Sequence, residues 1–295
     1  MQGSKNVCGR VFKVPYPPRS FRGKVVKPSQ RKEMAKAVLK TQDISIRLVC
    51  EIFGISKTAF HYQAKATSEN KLIETWLLKL TKAHKRWGFG LCFDYLRNIQ
   101  KFRWNHKRVL RIYRELELNL RIKPKKRIIR NRPEALGLAT DINQIWSMDF
   151  MSDSLQNGRY FRTFNVIDDY NREGLCVDID FSLPTEKVIR SLERVIEWRG
   201  QPAAIRCDNG PEYISQKLID WANSKKITLI YTQPGKPTQN AYIERFNRTV
   251  REELLSNYLF ETINEAQIYS TKWLWSYNNE RPHSAIGSVP PCQLQ

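Results

Sequence analysis

The spacing of apolar residues changes period once along this chain, near Ile145, and that change divides what the chain can fold into. Before it, apolar residues recur at three- and four-residue intervals, as in Met34, Ala35, Val38 and Leu39, in Leu72, Ile73, Trp76, Leu77 and Leu80, and in Val109, Leu110, Tyr113 and Leu116. This is the period of one face of an α-helix. From Ile145 onward, Trp146, Met148 and Phe150 alternate with Ser147, Asp149 and Met151, and Tyr160 to Ile167 and Leu175 to Phe181 are β-rich. A period of two belongs to strands.

Charge divides at nearly the same place. Residues 1–132 carry 33 Lys and Arg against 8 Asp and Glu, whereas residues 133–295 carry 17 against 21, so a part of net charge +25 precedes a part of net charge −4. Cations that merely solubilised a surface would be spread evenly; a concentrated excess fits phosphate binding by counterion release. No stretch approaches the roughly 18 apolar residues a membrane helix needs. The chain opens on basic residues rather than an apolar leader, and its six cysteines stand singly without a zinc pattern. A soluble, cytoplasmic protein with free thiols is expected.

Residues 1–27 mix Pro, Gly and basic residues without periodicity and read as a flexible basic arm. Residues 28–66 read as a helix-turn-helix. One helix starts at Ser29, a second is capped by Asp43 and carries Ile44, Leu48, Val49, Ile52 and Phe53, and Gly54-Ile55-Ser56 connects it to a third. That third helix offers Lys57, Thr58 and His61 to a major groove. Residues 67–120 form a second helical DNA-binding unit, a pair of helices separated by Trp87-Gly88-Phe89-Gly90 and Trp104-Asn105-His106, the last helix bearing Lys107, Arg108 and Arg111. The helices Ser56–Gln63 and Asn105–Leu116 are both basic and amphipathic, so the sequence leaves open which reads bases. A basic linker, 121–140, follows.

The remainder, 141–295, reads as three strands with Asn157-Gly158 in the first hairpin, an amphipathic helix capped by Thr185, a strand ending at Asp208, a helix over Leu218 to Ala222, a strand Ile227 to Tyr231 and a long helix from about Asn240. The order βββαβαβα matches a ribonuclease-H-like core, a mixed five-stranded sheet covered by helices. The fold class is thus α/β, preceded by an all-α region.

Two aspartates occupy strand positions that Asp disfavours: Asp149, within Trp146-Ser147-Met148-Asp149-Phe150, and Asp208, closing Ile205-Arg206-Cys207-Asp208. Glu244 lies in the following helix, with thirty-five residues separating it from Asp208. On that helix Glu244, Arg248 and Arg251 share a face, setting a carboxylate beside two guanidinium groups suited to DNA phosphates. Asp168 and Asp169 read as turn residues. Glu212 either supports Asp208, orients a DNA end or sits on the surface. Lys236, in the loop Pro234 to Asn240, is placed to touch DNA just ahead of the helix.

Taken together, the segments Trp146–Phe150, Val166–Arg172, Asp208–Tyr213, Asn240–Asn247 and Tyr277–His283 resemble the insertion-sequence transposases of the IS3 group, whose catalytic domain is shared with retroviral integrases. The resemblance runs from about residue 28 to the end. It implies that Asp149, Asp208 and Glu244 form a catalytic, metal-binding triad, that Arg251 stands at a position the family keeps basic, and that the chemistry is strand cleavage at the element ends followed by strand transfer. Two hard cations, Mg²⁺ or Mn²⁺, suit three carboxylates and an in-line phosphodiester displacement. The implied partners are double-stranded DNA of the transposon ends and the target, further copies of the chain, and an upstream-frame product with its own helix-turn-helix and leucine zipper. The chain has no long heptad run and so resembles the downstream-frame product, associated with a bacterial nucleoid; residues 1–27 depart from the family pattern. A nuclease that only cuts would not need the basic half, and a regulator derived from a transposase would not need all three acids.

Overall fold

The computed structural model describes residues 27–42, 44–62, 68–121, 139–232 and 240–294. The basic arm up to residue 26, Asp43, linker residues 122–138 and loop residues 233–239, Lys236 among them, lie outside the described residues. The chain divides into two compact units, Met1–Thr67 and Ser68–Gln295.

In the first unit, α1 (Pro28–Thr41), α2 (Ile46–Ile52) and α3 (Lys57–His61) close over Ala35, Val49, Cys50, Phe53 and Phe60. The sequence puts the cap of α2 at Asp43, but Ser45 takes it, its hydroxyl accepting from the Leu48 N–H at 3.3 Å, and Ile44 precedes the helix. The turn behaves as its residues require: Gly54 adopts φ 59°, a conformation that side chains resist, and Ser56 caps α3 by accepting from the Ala59 N–H at 3.1 Å.

The second unit begins with α4 (Ser68–Ala83), α5 (Phe89–Asp94), which runs into a π-helical turn at Tyr95–Ile99, and α6 (His106–Glu115). Ile73, Leu77, Trp87, Leu96, Val109 and Tyr113 form their common core. The segment expected to separate two helices thus contributes a helix of its own. Leu72, counted in the apolar stripe of α4, lies exposed, because Ile73, Leu77 and Leu80 take the buried face.

A five-stranded sheet follows in the order β3-β2-β1-β4-β5, built from β1 (Ile145–Ser154), β2 (Tyr160–Asp168), β3 (Gly174–Asp180), β4 (Ala204–Cys207) and β5 (Thr228–Tyr231). The first three strands pair antiparallel, while β4 and β5 join parallel to β1. Helices α7 (Thr185–Arg199) and α8 (Gln216–Ser224) cover one face, packing on Trp146, Met148, Phe164 and Val166. On the other, α9 (Ala241–Glu253) and α10 (Ile263–Asn279) pack on Phe161, Ile167, Val177 and Ile179. Burying both faces demands this double cover. Thr185 does not cap α7. Pro184 holds the cap position, and the Thr185 hydroxyl donates to the Glu212 carbonyl at 3.2 Å.

Helix α10 has a second task. Strand β3 lies at a sheet edge, where backbone groups have no strand to pair with. The Gln267 amide accepts from the Ile179 N–H at 2.7 Å and donates to the Val177 carbonyl at 3.1 Å, and the Ser270 hydroxyl donates to that carbonyl at 2.8 Å. Asn278 accepts from the Gly174 N–H at 2.9 Å and donates to its carbonyl at 2.7 Å. Side chains of one helix thereby stand in for a sixth strand.

Candidate active site

Parallel pairing sets Ile145 beside Ala204, Trp146 beside Ile205 and Ser147 beside Arg206. Carried two residues further, that register brings Asp149 level with Asp208, which follows the last residue of β4. Successive side chains alternate between faces, so both carboxylates point to the α9 side of the sheet. The Asp149 carboxylate accepts from the Phe150 N–H at 2.8 Å and from the Asn247 amide of α9 at 2.8 Å. Asn247 in turn accepts from the Asn165 amide at 2.7 Å, and Asn165 is the cross-strand partner of Asp149. A chain of buried amides therefore fixes α9 against β1 and β2 at the level of Asp149. Glu244 stands three residues before Asn247 on α9 and is exposed.

Burial pushes the Asp149 carboxyl up to about 6, and the negative charges of Asp208 and Glu244 add to the rise, while the Phe150 N–H and the Asn247 amide oppose it. None of the three acids is paired with a lysine or arginine among the described residues, whereas Asp153 is paired with Arg251 and Glu212 with Arg162, and Asp169, beyond the far end of β2, with Arg206. Among the described residues, no three acidic, histidine or cysteine side chains stand as a set at metal-ligand spacing. The donors are nonetheless those a hard divalent cation selects, and their mutual repulsion is what such a cation would relieve.

Behind the aspartates, Gly210 closes a tight turn by donating its N–H to Asp208 at 2.9 Å. Phe150 and Tyr213 stack with centroids 5.0 Å apart, and the Arg162 guanidinium lies over Phe150 at 4.2 Å while gripping Glu212. Burial alone would raise Glu212; the Arg162 contact brings it below its ordinary value. Asp168 accepts from the Asn143 N–H at 2.8 Å and the Tyr170 N–H at 2.7 Å, at the end of β2 away from Asp149.

The described residues expected to meet DNA fall into three groups. Lys57, Thr58 and His61 are exposed on α3 in the first unit. On α6, Lys107 and Arg111 are exposed, whereas Arg108 is turned inward, donating to Asn70 at 2.8 Å and paired with Glu69 of α4. On α9, Arg248 is exposed, and Arg251 donates to the Ser152 carbonyl at 2.8 Å and to Asp153 at 3.2 Å, clamping the end of β1. The sequence reading passed over Asn247 and Asn165; the one signal for Asn247 was a residue of modest helix propensity one turn from Glu244, on the same face.

Residues 139–237 and 225–291 match the integrase core domain family. Over 93% of its length the chain is 36% identical to a 39.2 kDa protein of insertion element IS476 from Xanthomonas euvesicatoria, spanning 79% of that protein. Over 88% it is 36% identical to a 31.7 kDa protein of insertion element IS407 from Burkholderia multivorans, spanning 93% of it. The HTLV-2 integrase catalytic core domain, solved in complex with magnesium, aligns with 51% of the chain and 95% of its own at 21% identity and a TM-score of 0.43. The chain belongs to the integrase-core family, among the insertion-element proteins. Its function accordingly lies in DNA transposition and integration.

Proposed function

We propose that this chain is the transposase of its element, with Asp149, Asp208 and Glu244 as the catalytic carboxylates. The observation that carries the reading is electrostatic: the charges of Asp208 and Glu244 reach Asp149, midway along β1, and none of the three acids has a cationic partner among the described residues, whereas Asp153 and Glu212 are neutralised. These three would hold two Mg²⁺ or Mn²⁺ ions, which when bound supply Lewis-acid stabilisation of the entering and leaving oxygens of a phosphodiester. Asn247 keeps the Asp149 carboxylate turned toward that position, and Arg248 presents an exposed positive charge to the DNA backbone beside it.

In the first reaction a water oxygen attacks the phosphorus at the element end and the bond to the 3′ oxygen breaks, leaving a 3′-hydroxyl. In the second that hydroxyl attacks a target phosphodiester, so one bond forms as another breaks and no covalent protein–DNA link arises. The exposed cations of α3 and α6 hold the duplex. Two element ends call for at least two copies of the chain, joined by an upstream-frame product, on the bacterial nucleoid. Among the described residues no helix is long and apolar enough to cross a membrane.

The test is Mg²⁺- or Mn²⁺-dependent cleavage and joining of a labelled element-end duplex by the wild type and by Glu244→Gln. The wild type joins strands, and Glu244→Gln binds the duplex but loses roughly 10²–10³ in rate or more. Cutting without joining identifies a nuclease instead. Undiminished activity of the variant removes Glu244 from the site, and binding without chemistry in the wild type identifies a regulator.

A further inference from the structure

Between the end of α4 and the C-terminal halves of α9 and α10 lies a cavity of about 270 Å³ that the chemistry above does not use. Five of its lining residues are cations (Lys82, Lys85, Arg86, Lys272 and Arg281) and one, Glu253, is acidic. Glu253 is consumed by Arg281, whose guanidinium donates to it at 2.9 Å. Lys82, Lys85 and Arg86 are exposed and form no ion pair among the described residues. The walls are aromatic. Tyr258 and Tyr269 meet at 4.7 Å, Trp273 lies alongside, and His84 stacks on the buried Trp87 at 3.8 Å with the rings 11° apart. Burial holds His84 below its ordinary pKa, although Glu280 and Glu253 nearby oppose the shift.

Unpaired cations at the rim of an aromatic recess suit a nucleotide, with phosphate held outside and base within. We propose that this cavity binds an unpaired nucleotide of the DNA strand, its phosphate against Lys85 and Lys272 and its base against Tyr258 and Tyr269. A paired base cannot enter such a recess without leaving its helix. Glu253 and Glu244 are nine residues apart on α9, about 13 Å along the axis at 1.5 Å per residue. Nine residues at about 100° each also turn the helix by half a revolution, so the cavity lies on the opposite face of α9 from Glu244, and at about 3.4 Å per nucleotide a strand reaches it no fewer than some four nucleotides from the catalytic carboxylates. That placement rests on the transposase reading; the cavity's affinity for a nucleotide does not.

Binding is measured with the full chain in EDTA, which stops strand chemistry, so the outcome is independent of catalysis. The probes are an oligothymidylate twelve-mer carrying 5-iododeoxyuridine and an abasic twelve-mer of equal charge. Photocrosslinks map to Tyr258, Tyr269 or Trp273, and the abasic strand binds about tenfold more weakly. Tyr258→Ala removes that difference, and Lys272→Ala lowers the slope of log affinity against log salt by about 0.7. Crosslinks confined to other residues, equal affinity for the abasic strand, or no binding of either strand overturns the proposal. Loss of strand transfer with the crosslinks intact would count against the transposase reading alone.

Discussion

Asn247 donates to Asp149 and accepts from Asn165, so its amide can do neither job once exchanged for an alkyl group. Asn247→Ala leaves the Asp149 carboxylate free to turn and its neighbouring amide buried without a partner. Strand cleavage in Mg²⁺ is expected to fall roughly 10–100-fold while duplex affinity is unchanged, and equal losses in both would show a general folding defect. His283 makes a separate prediction. Burial lowers its pKa to about 3, with Arg281 adding to the shift, from an ordinary value of 6.5. Below pH 6.5 the unfolded chain takes up a proton that the folded chain refuses until about pH 3, so the contribution is complete above 6.5 and drains away as the pH falls. The slope is at most about 1.4 kcal/mol per pH unit. His283→Phe, which keeps a ring against Tyr277, should flatten the fall in Tm between pH 6.5 and 4.5; an unchanged profile would mean the imidazole is protonated in the fold.

At the scale of elements, the contact between β3 and its covering helices is tightest at Gly174. A Cβ there would lie 2.6 Å from Leu274 and 2.9 Å from Phe246, on two different helices. Gly174→Ala should destabilise the second unit by about 1–3 kcal/mol, read as a fall in Tm, since the buried Phe246 ring cannot withdraw without opening the core. The strand and helix order from β1 to α9 was legible because period two and period 3.6 are distinct in Ile145 to Phe181 and in Val188 to Val195. Helix α10 was not, because Gln267, Ser270 and Asn278 interrupt its apolar face in order to serve the β3 edge. Helix α5 was hidden for another reason: Gly88 and Gly90 read as a break, although Trp87 beside them is a core residue. The positions of Asp149 and Asp208 in strands could be read from their neighbours. That the two lie side by side depends on parallel register, which no local pattern carries.

For the whole molecule, the transposase reading makes the basic part of the chain the one that would hold DNA and the mildly acidic part the one that would act on it. If six to ten phosphates are neutralised, the log of duplex affinity should fall with log salt at a slope of roughly −5 to −9, and Glu244→Gln should leave that slope unaltered. A titration over 50–200 mM salt checks both; a shallow slope would mean the cations of residues 1–132 lie away from the DNA. The other whole-molecule property comes from the amides and hydroxyl that α10 lends to β3. Strip them, and β3 offers its bare backbone to any extended chain that drifts past. A copy of the gene that lost these side chains would then lose its protein to the insoluble fraction with every carboxylate intact, so an element can fall silent through stickiness rather than through failed chemistry.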